Sequence, residues 1–152
     1  MKKINWFVFL FLLFLLSYFR ETVFLGINEI IEGNFESHPY TFKPEILFQY
    51  TATELSKFKY ILTSFFSILF AATTLISLRF AFQEKLAFKI TVIAYSLSLL
   101  LIVFAALSSL LFFDFAQVYP FIRSIIGYIH SPLIYILISA TVLVSDFYRK
   151  EN

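Results

Sequence analysis

The sequence predicts an all-α polytopic membrane protein: a four-transmembrane-helix bundle with a short interfacial amphipathic helix after the first span. Four segments without Asp, Glu, Lys or Arg carry this prediction: Ile4–Phe19, Tyr60–Leu78, Ile90–Phe113 and Ser124–Ser145. A helix needs about 20 apolar residues to cross a bilayer, whereas a soluble core has no use for uncharged runs of this length. Composition agrees, because only 14% of the residues are charged, against roughly 25% in soluble domains.

A single domain covering residues 1–152 fits this length. We predict spans at about 4–21, 58–78, 90–113 and 124–145, with an outer loop at about 22–57. The net charge of +2 is too small to indicate a nucleic-acid partner, and the basic residues flank apolar runs. Membrane lipids are therefore the first expected partner. Cysteine is absent, which excludes disulfides, thiolate metal sites and a cysteine nucleophile in this chain.

The amino-terminal span resembles a signal sequence, because Lys2 and Lys3 precede its apolar run. A cleavage site needs small residues shortly afterwards, and here bulky or charged residues follow, including Tyr18 and Arg20. We therefore predict an uncleaved anchor that forms the first helix.

Apolar residues with helical spacing continue beyond this span, from Val23 to Ile31, and Gly33 offers a stop. Either one long helix rises out of the bilayer, or the helix bends near Arg20 and Glu21–Glu32 lies in the outer interface. We favour the bend. Further on, Pro44 followed by Glu45 is a helix-start signal. It predicts a helix from about Pro44 into the second span.

Small residues should mark the packing faces, because they let helices approach closely in lipid. The first span has none before Ser17, so we expect it to be peripheral or presented to a partner, with the other three spans tightly packed. Their stripes are Thr63, Ser67, Ala71 and Thr74; Ala94, Ser98, Ala105 and Ser109; and Gly127, Ser131, Thr141 and Ser145.

Charge predicts the orientation of the bundle. With four spans both termini share one side, which carries seven Lys and Arg residues against five on the other. Three of the seven lie in the short loop Arg79–Lys89, a strong indicator of the cytoplasmic side. Lys57 and Lys59, beside the second span, argue the opposite way. We predict that both termini are cytoplasmic.

Several charged residues lie at the predicted outer ends of the spans. Arg20 and Glu21 end the first, Asp114 ends the third, and Arg123 precedes the fourth. Arg20 and Glu21 either reach lipid headgroups or pair within the bundle. Adjacent helical residues do not face each other, so other partners are expected. A Glu21–Arg123 pair is our first hypothesis.

His130 is the only histidine within a predicted span, about 10 Å deeper than Arg123 along a helix. Pro132 removes a backbone donor and can kink the helix beside it. We favour a structural role, in which neutral His130 hydrogen-bonds across helices to a Ser or Thr, over a functional one. Ser131 has no base partner beyond this neighbour, so we expect no catalytic set. With only His38 as a second histidine, we also expect no metal site and no cofactor.

Short motifs carry a family resemblance. The sequence Tyr18-Phe19-Arg20-Glu21 leading to Phe24 and Asn28, then Arg123 followed by His130-Ser131-Pro132-Leu133, resembles the small four-span membrane proteins encoded beside bacterial exosortases. The likeness is closer to the exosortase X-associated type than to the F-associated type, because the chain ends in Asp146-Phe147-Tyr148-Arg149-Lys150 instead of an aromatic ending.

The resemblance implies a non-enzymatic accessory protein in the bacterial inner membrane. Exosortases are multispan transpeptidase-like enzymes that use a cysteine, which this chain lacks. The implied partners are such an enzyme or its substrates with carboxy-terminal sorting tails. Taken with the charged residues at the span ends, the candidate structural or partner-binding cluster is Arg20, Glu21, Asn28, Asp114, Arg123, His130, Ser131 and Pro132. The alternative is a small transporter or channel subunit that forms a homo-oligomeric pore lined by His130, and an intramembrane enzyme ranks last.

Overall fold

The computed structural model describes residues 2–34, 41–82, 85–111 and 114–151, and these residues confirm the all-α prediction. Their helices are α1 (Lys2–Glu32), a 3₁₀ helix (Glu45–Gln49), α2 (Ala52–Phe82), α3 (Lys85–Leu111), α4 (Phe115–Ile129) and α5 (Leu133–Glu151). By length and composition α1, α2 and α3 can each cross a membrane. Helices α4 and α5 form a pair with the same property, bent by 52° at the break between them.

The first two helices form an antiparallel pair. The rings of Phe24 and Phe66 lie 6.1 Å apart, and those of Phe9 and Phe80 lie 6.3 Å apart. Helix α1 therefore runs towards the side on which the α1–α2 connection lies, here called the loop side. Helix α2 returns to the side on which α1 begins, called the terminus side.

Residues 21–32 continue α1 instead of forming a separate interfacial helix, so the favoured bend near Arg20 was wrong. The helix is 31 residues long, or about 46 Å at about 1.5 Å per residue. Val23, Ile27 and Ile30 are buried against Leu55 of α2. The second apolar segment of α1 is thus covered by α2, which removes the need to lie in the lipid interface.

The expectation that the first span is peripheral was also wrong, because α1 packs along α2 more extensively than any other pair of helices. Large side chains make this contact. Leu13 is fully buried in a cluster that includes Phe66, Phe70 and Tyr135. Close helix packing therefore did not require small residues on α1, and its opposite face stays exposed.

Residues 41–43 are fastened to the loop-side half of α1. The Phe42 amide donates to the Thr22 carbonyl oxygen at 3.4 Å. Thr41 Oγ1 donates to a Glu29 carboxylate oxygen at 2.8 Å, and Lys43 forms an ion pair with the same carboxylate. Gly26 makes this possible, because a Cβ there would lie 2.1 Å from the Phe42 carbonyl oxygen.

A break precedes α2, so the predicted continuous helix from Pro44 was wrong. The 3₁₀ helix ends at Gln49, and Tyr50 is extended. Thr51 and Glu54 then form a capping box: the Thr51 amide donates to the Glu54 carboxylate at 2.8 Å, and the Glu54 amide donates to Thr51 Oγ1 at 3.3 Å. These bonds satisfy backbone donors at the start of α2 and fix its first residue.

The fourth crossing is a broken one. Helix α4 begins at Phe115, nine residues before the predicted start at 124, and ends at the break over His130–Pro132, where the kink at Pro132 was predicted. Tyr135 stacks on Trp6, and its hydroxyl donates to the Trp6 carbonyl oxygen at 3.4 Å. Helix α5 therefore continues to the terminus side, and α4 with α5 crosses the bundle once. The end of the predicted third span, residues 112–113, lies outside the described residues.

The small-residue stripes have different outcomes. Those of the second and third spans are buried or half-buried, with Thr74 and Ala105 the most enclosed. The stripe of the fourth span was wrong, because Gly127 and Thr141 are exposed. Nothing is described of the Ser145 side chain. The inward face there carries Ile129, His130, Tyr135, Ile138 and Val142 instead.

Replacing Gly26 tests how residues 41–43 are fastened. Gly26→Ala should lower the free energy of unfolding by about 1–3 kcal/mol, because the methyl group displaces the Phe42 carbonyl. Denaturation in detergent micelles measures this, and proteolysis between Glu32 and Tyr50 should accelerate in parallel.

Gly127→Ala is the matched control, since an added Cβ there meets nothing within 4 Å. It should leave stability unchanged or raise it slightly, through the better helix propensity of alanine. Equal effects of the two substitutions would contradict the close approach at Gly26.

Candidate functional site

The α1–α2 register places Arg20 deep in the bundle. Arg20 lies four residues before Phe24, so in the antiparallel pair it faces the level of Phe70, four residues beyond Phe66. Residues 67–70 are the middle of the charge-free run Tyr60–Leu78. The prediction that Arg20 ends the first span at the membrane surface was therefore wrong.

Helix α3 gives the same depth independently. Thr74 Oγ1 and the Tyr95 hydroxyl lie 3.2 Å apart in hydrogen-bonding contact. Helices α2 and α3 run antiparallel, so seven residues before Thr74 on α2 correspond to seven residues after Tyr95 on α3. Ser67 therefore lies opposite residue 102, which is at the centre of Ile90–Phe113. The level of Ser67 is thus central to two separate spans.

His130 is bound at this level by Ser67. Its Nε2 and Ser67 Oγ lie 2.7 Å apart, and Ser67 Oγ also donates to the Thr63 carbonyl oxygen at 2.8 Å. A hydroxyl has one proton, so Ser67 Oγ accepts from His130 Nε2–H in this arrangement. The neutral ring then carries its proton on Nε2 and leaves Nδ1 as an acceptor. The sequence predicted a cross-helix bond of this kind from His130 to a Ser or Thr.

Aromatic rings enclose the polar groups. Phe70 stacks on the His130 ring at 5.5 Å, and the Arg20 guanidinium lies 4.6 Å from the centroid of Phe24. The ring face attracts the cation, an interaction that strengthens when water is excluded. Arg20 also lies within electrostatic range of His130. We call Arg20, Glu21, Ser67 and His130 the central cluster.

Glu21 is the open member of the central cluster. Its Oε2 lies 2.8 Å from Nη1 of Arg20. The Arg20 side chain is 19% exposed, whereas that of Glu21 is 57% exposed. The pair thus joins a cation inside the bundle to a carboxylate on its surface. The expectation that these adjacent residues need other partners was wrong, because their two long side chains meet each other directly.

Two polar atoms of the central cluster are buried without a hydrogen-bond partner: Arg20 Nε and His130 Nδ1. The first is a donor, and the second is an acceptor in the tautomer described above. Leaving such groups unpaired is costly in a protein interior. One is thus a donor and the other an acceptor, so a single polar group that both donates and accepts could satisfy the two.

A second polar group lies towards the loop side. Lys59 donates from Nζ to Asn28 Oδ1, and both Arg123 and Glu32 lie within electrostatic range of Lys59. Lys59 adjoins the end of the charge-free run of α2. This group therefore marks the loop-side membrane boundary.

The structure brings some predicted site residues together and separates others. Arg20, Glu21 and His130 share the central cluster, and Asn28 lies at the boundary group. Arg123 is exposed and forms no pair with Glu21, so that hypothesis was wrong. Asp114 is exposed before α4 and makes no side-chain capping bond. Ser131 and Pro132 form the helix break, where Ser131 Oγ accepts from the Leu133 amide.

Sequence reasoning missed Lys59 as a partner of Asn28. A signal existed, since Lys59 directly precedes the apolar run of the second span. Among the described residues no group of three or more His, Cys, Asp or Glu side chains could hold a metal ion. His38 lies outside the described residues.

Together the fold and the central cluster define a polytopic α-helical membrane protein with an ionised pair and a histidine at the middle of its bundle. No protein-family model, curated protein or solved structure matches the chain.

Ser67→Ala tests the bond that fixes His130. It should lower the free energy of unfolding by about 1–3 kcal/mol, because His130 Nε2–H loses its buried acceptor. Ser64→Ala is the control: Ser64 Oγ bonds the carbonyl four residues earlier in the same way but is exposed, so little change is expected.

The same substitution in a His130→Phe background should cost much less, since no imidazole is then left unpaired. Chemical denaturation in mixed micelles of the unsubstituted chain, the Ser67→Ala and His130→Phe variants and the double variant measures the coupling energy between Ser67 and His130. An equal loss in both backgrounds would show that the Ser67–His130 bond does not stabilise the fold.

Proposed function

We propose that this chain is a non-enzymatic accessory protein of the membrane, which binds another membrane protein through helix contacts that cover Glu21. The exposed Glu21 carboxylate at the depth of Ser67 carries the proposal. At that depth the surroundings of an isolated chain are lipid tails, which supply no hydrogen bonds.

The energetics favour a covered carboxylate. A charged residue at the bilayer centre costs at least about 2.5–3.5 kcal/mol in insertion measurements, and such residues usually face protein. Arg20 offsets part of this cost from one side. A hydrogen-bond donor on a partner helix offsets the remainder from the other, and a charge-assisted bond contributes about 1.5–3 kcal/mol.

The resemblance to exosortase-associated proteins supports a more specific proposal for partner and location. The partner is an exosortase-like multispan enzyme or one of its sorting-tail substrates in the bacterial inner membrane. Both termini are cytoplasmic, so the loop side faces outward. The motif residues Arg20 and Glu21 are the same residues that form the ion pair, and His130 lies beside them.

The alternative, an oligomeric pore lined by His130, has less support. His130 is only 2% exposed within one chain, because Phe66, Phe70 and Ser67 surround its ring. A pore-lining role requires this ring to face water, which would open that packing.

Glu21→Gln tests the proposal. The tagged chain is expressed at its native locus, crosslinked in membranes and purified, and the co-purified membrane proteins are quantified by mass spectrometry. The substitution should lower recovery of the partner by about 10-fold or more, because a charge-assisted bond becomes a neutral one.

Glu32→Gln is the matched control, since Glu32 is exposed on the same helix but lies at the loop-side boundary. Partner recovery should be unchanged there, and immunoblots establish equal amounts of each chain. Recovery of the chain only as a homo-oligomer, or a partner insensitive to Glu21→Gln, would count against the proposal.

A further inference from the structure

An apolar groove of about 520 Å³ opens on the lipid-facing surface between α1 and the α4–α5 break. Phe14 forms its α1 wall. Ser124, Gly127, Tyr128 and Ser131 contribute from α4 and the break, and Leu133 from the start of α5. The groove exists because α1 packs on α2, and α4 packs chiefly on α3, leaving α1 and α4 apart.

Small residues form one wall of the groove. Ser124 and Gly127 are three residues apart on one face of α4, and Ser131 in the break lines the same groove. Gly127 is exposed, and the space above it is open. Small side chains bring little contact with lipid, but they allow the backbone of another helix to approach closely.

The exposed face of α1 continues the groove towards Glu21. Phe14, Tyr18 and Glu21 are separated by four and three residues, the spacing of one helix face. Phe7, Phe11 and Leu25 extend the same alternation of three and four, and all are exposed. This is the pattern of a seam that packs against another helix.

We propose that this groove binds one transmembrane helix of a different protein, which places a hydrogen-bond-donating side chain against Glu21. The proposal rests on the function proposed above and adds the binding surface and the chemistry of its occupant. Small residues on the occupant face Gly127 and Ser131. Its donor lies at nearly the same depth as these two residues, because they flank His130, which shares the level of Glu21. Phe14 lies about 10 Å from Glu21 towards the terminus side, since seven residues separate them on α1.

Charge argues for a different protein over a second copy. Two copies inserted in the same orientation that dock through this face bring both Glu21 side chains to one depth. Two carboxylates in contact within lipid repel each other, and each has already used its own Arg20. A donor on a foreign helix has no such penalty.

Site-specific photocrosslinking tests the proposal. The photoreactive residue p-benzoylphenylalanine replaces Tyr128 in the groove or, as a reference position, the exposed Phe104 of α3. Crosslinking is carried out in membranes of the cells that encode the chain. The expected Tyr128 adduct maps by peptide mass spectrometry to a transmembrane helix with a donor side chain at the depth of Glu21.

Gly127→Leu fills the groove without disturbing the fold, since its Cβ position is open. It should reduce this adduct by about tenfold or more. Ser96→Leu, at an exposed small residue of α3, is the control and should leave it unchanged.

The outcomes separate the two proposals. If the Tyr128 adduct persists in Gly127→Leu, or if only Phe104 gives an adduct, the groove is not the binding surface. The proposal of a membrane partner then still holds. An adduct joining two copies of this chain overturns the assignment to a different protein. No protein adduct from either position, together with no partner sensitive to Glu21→Gln, overturns both.

Discussion

The Arg20–Glu21 pair lies deep in the bundle, and its depth governs how the surrounding side chains are arranged. This depth is set by the register of α1 on α2, which the contacts Phe24–Phe66 and Phe9–Phe80 define. This register places the Arg20 guanidinium in the middle of the bundle. A cation there needs neighbouring groups that stabilise its charge. The Phe24 ring and the Glu21 carboxylate supply this environment. His130 lies at the same level, where it contacts Ser67 and Phe70.

The class of fold could be predicted from the sequence because hydrocarbon imposes a simple rule on composition. Only long charge-free segments can cross it, and four such segments are visible without any knowledge of their contacts. The break at Pro132 was equally accessible, since a missing backbone donor is a local property of one residue. What depends on a single residue or a single segment was therefore predicted well.

The register of the helices could not be predicted in this way, because it is decided between segments. A charge-free run ends at Phe19 and suggests a membrane boundary at Arg20, but Arg20 is neutralised by its neighbour and needs no headgroup. Likewise, the small residues around Gly127 predicted an internal face for the fourth span. The chain instead turns Ile129, His130 and Tyr135 inward, because α1 and α2 present large rings that these side chains fit.

A second ion pair in the described residues, Glu29–Lys43, offers a comparison with the Arg20–Glu21 pair. Glu29 and Lys43 fasten residues 41–43 to α1, and their side chains are only 9% and 13% exposed. Both ends of that pair are covered, although it lies towards the boundary, where water could solvate it. Glu21, near the bundle centre, is 57% exposed. For a single chain in lipid, the carboxylate nearer the bilayer centre should be the more buried one, because charge is least stable there. The observed order is the reverse, since Glu21 is deeper and more exposed than Glu29. The helix that we propose to cover Glu21 would restore the expected order.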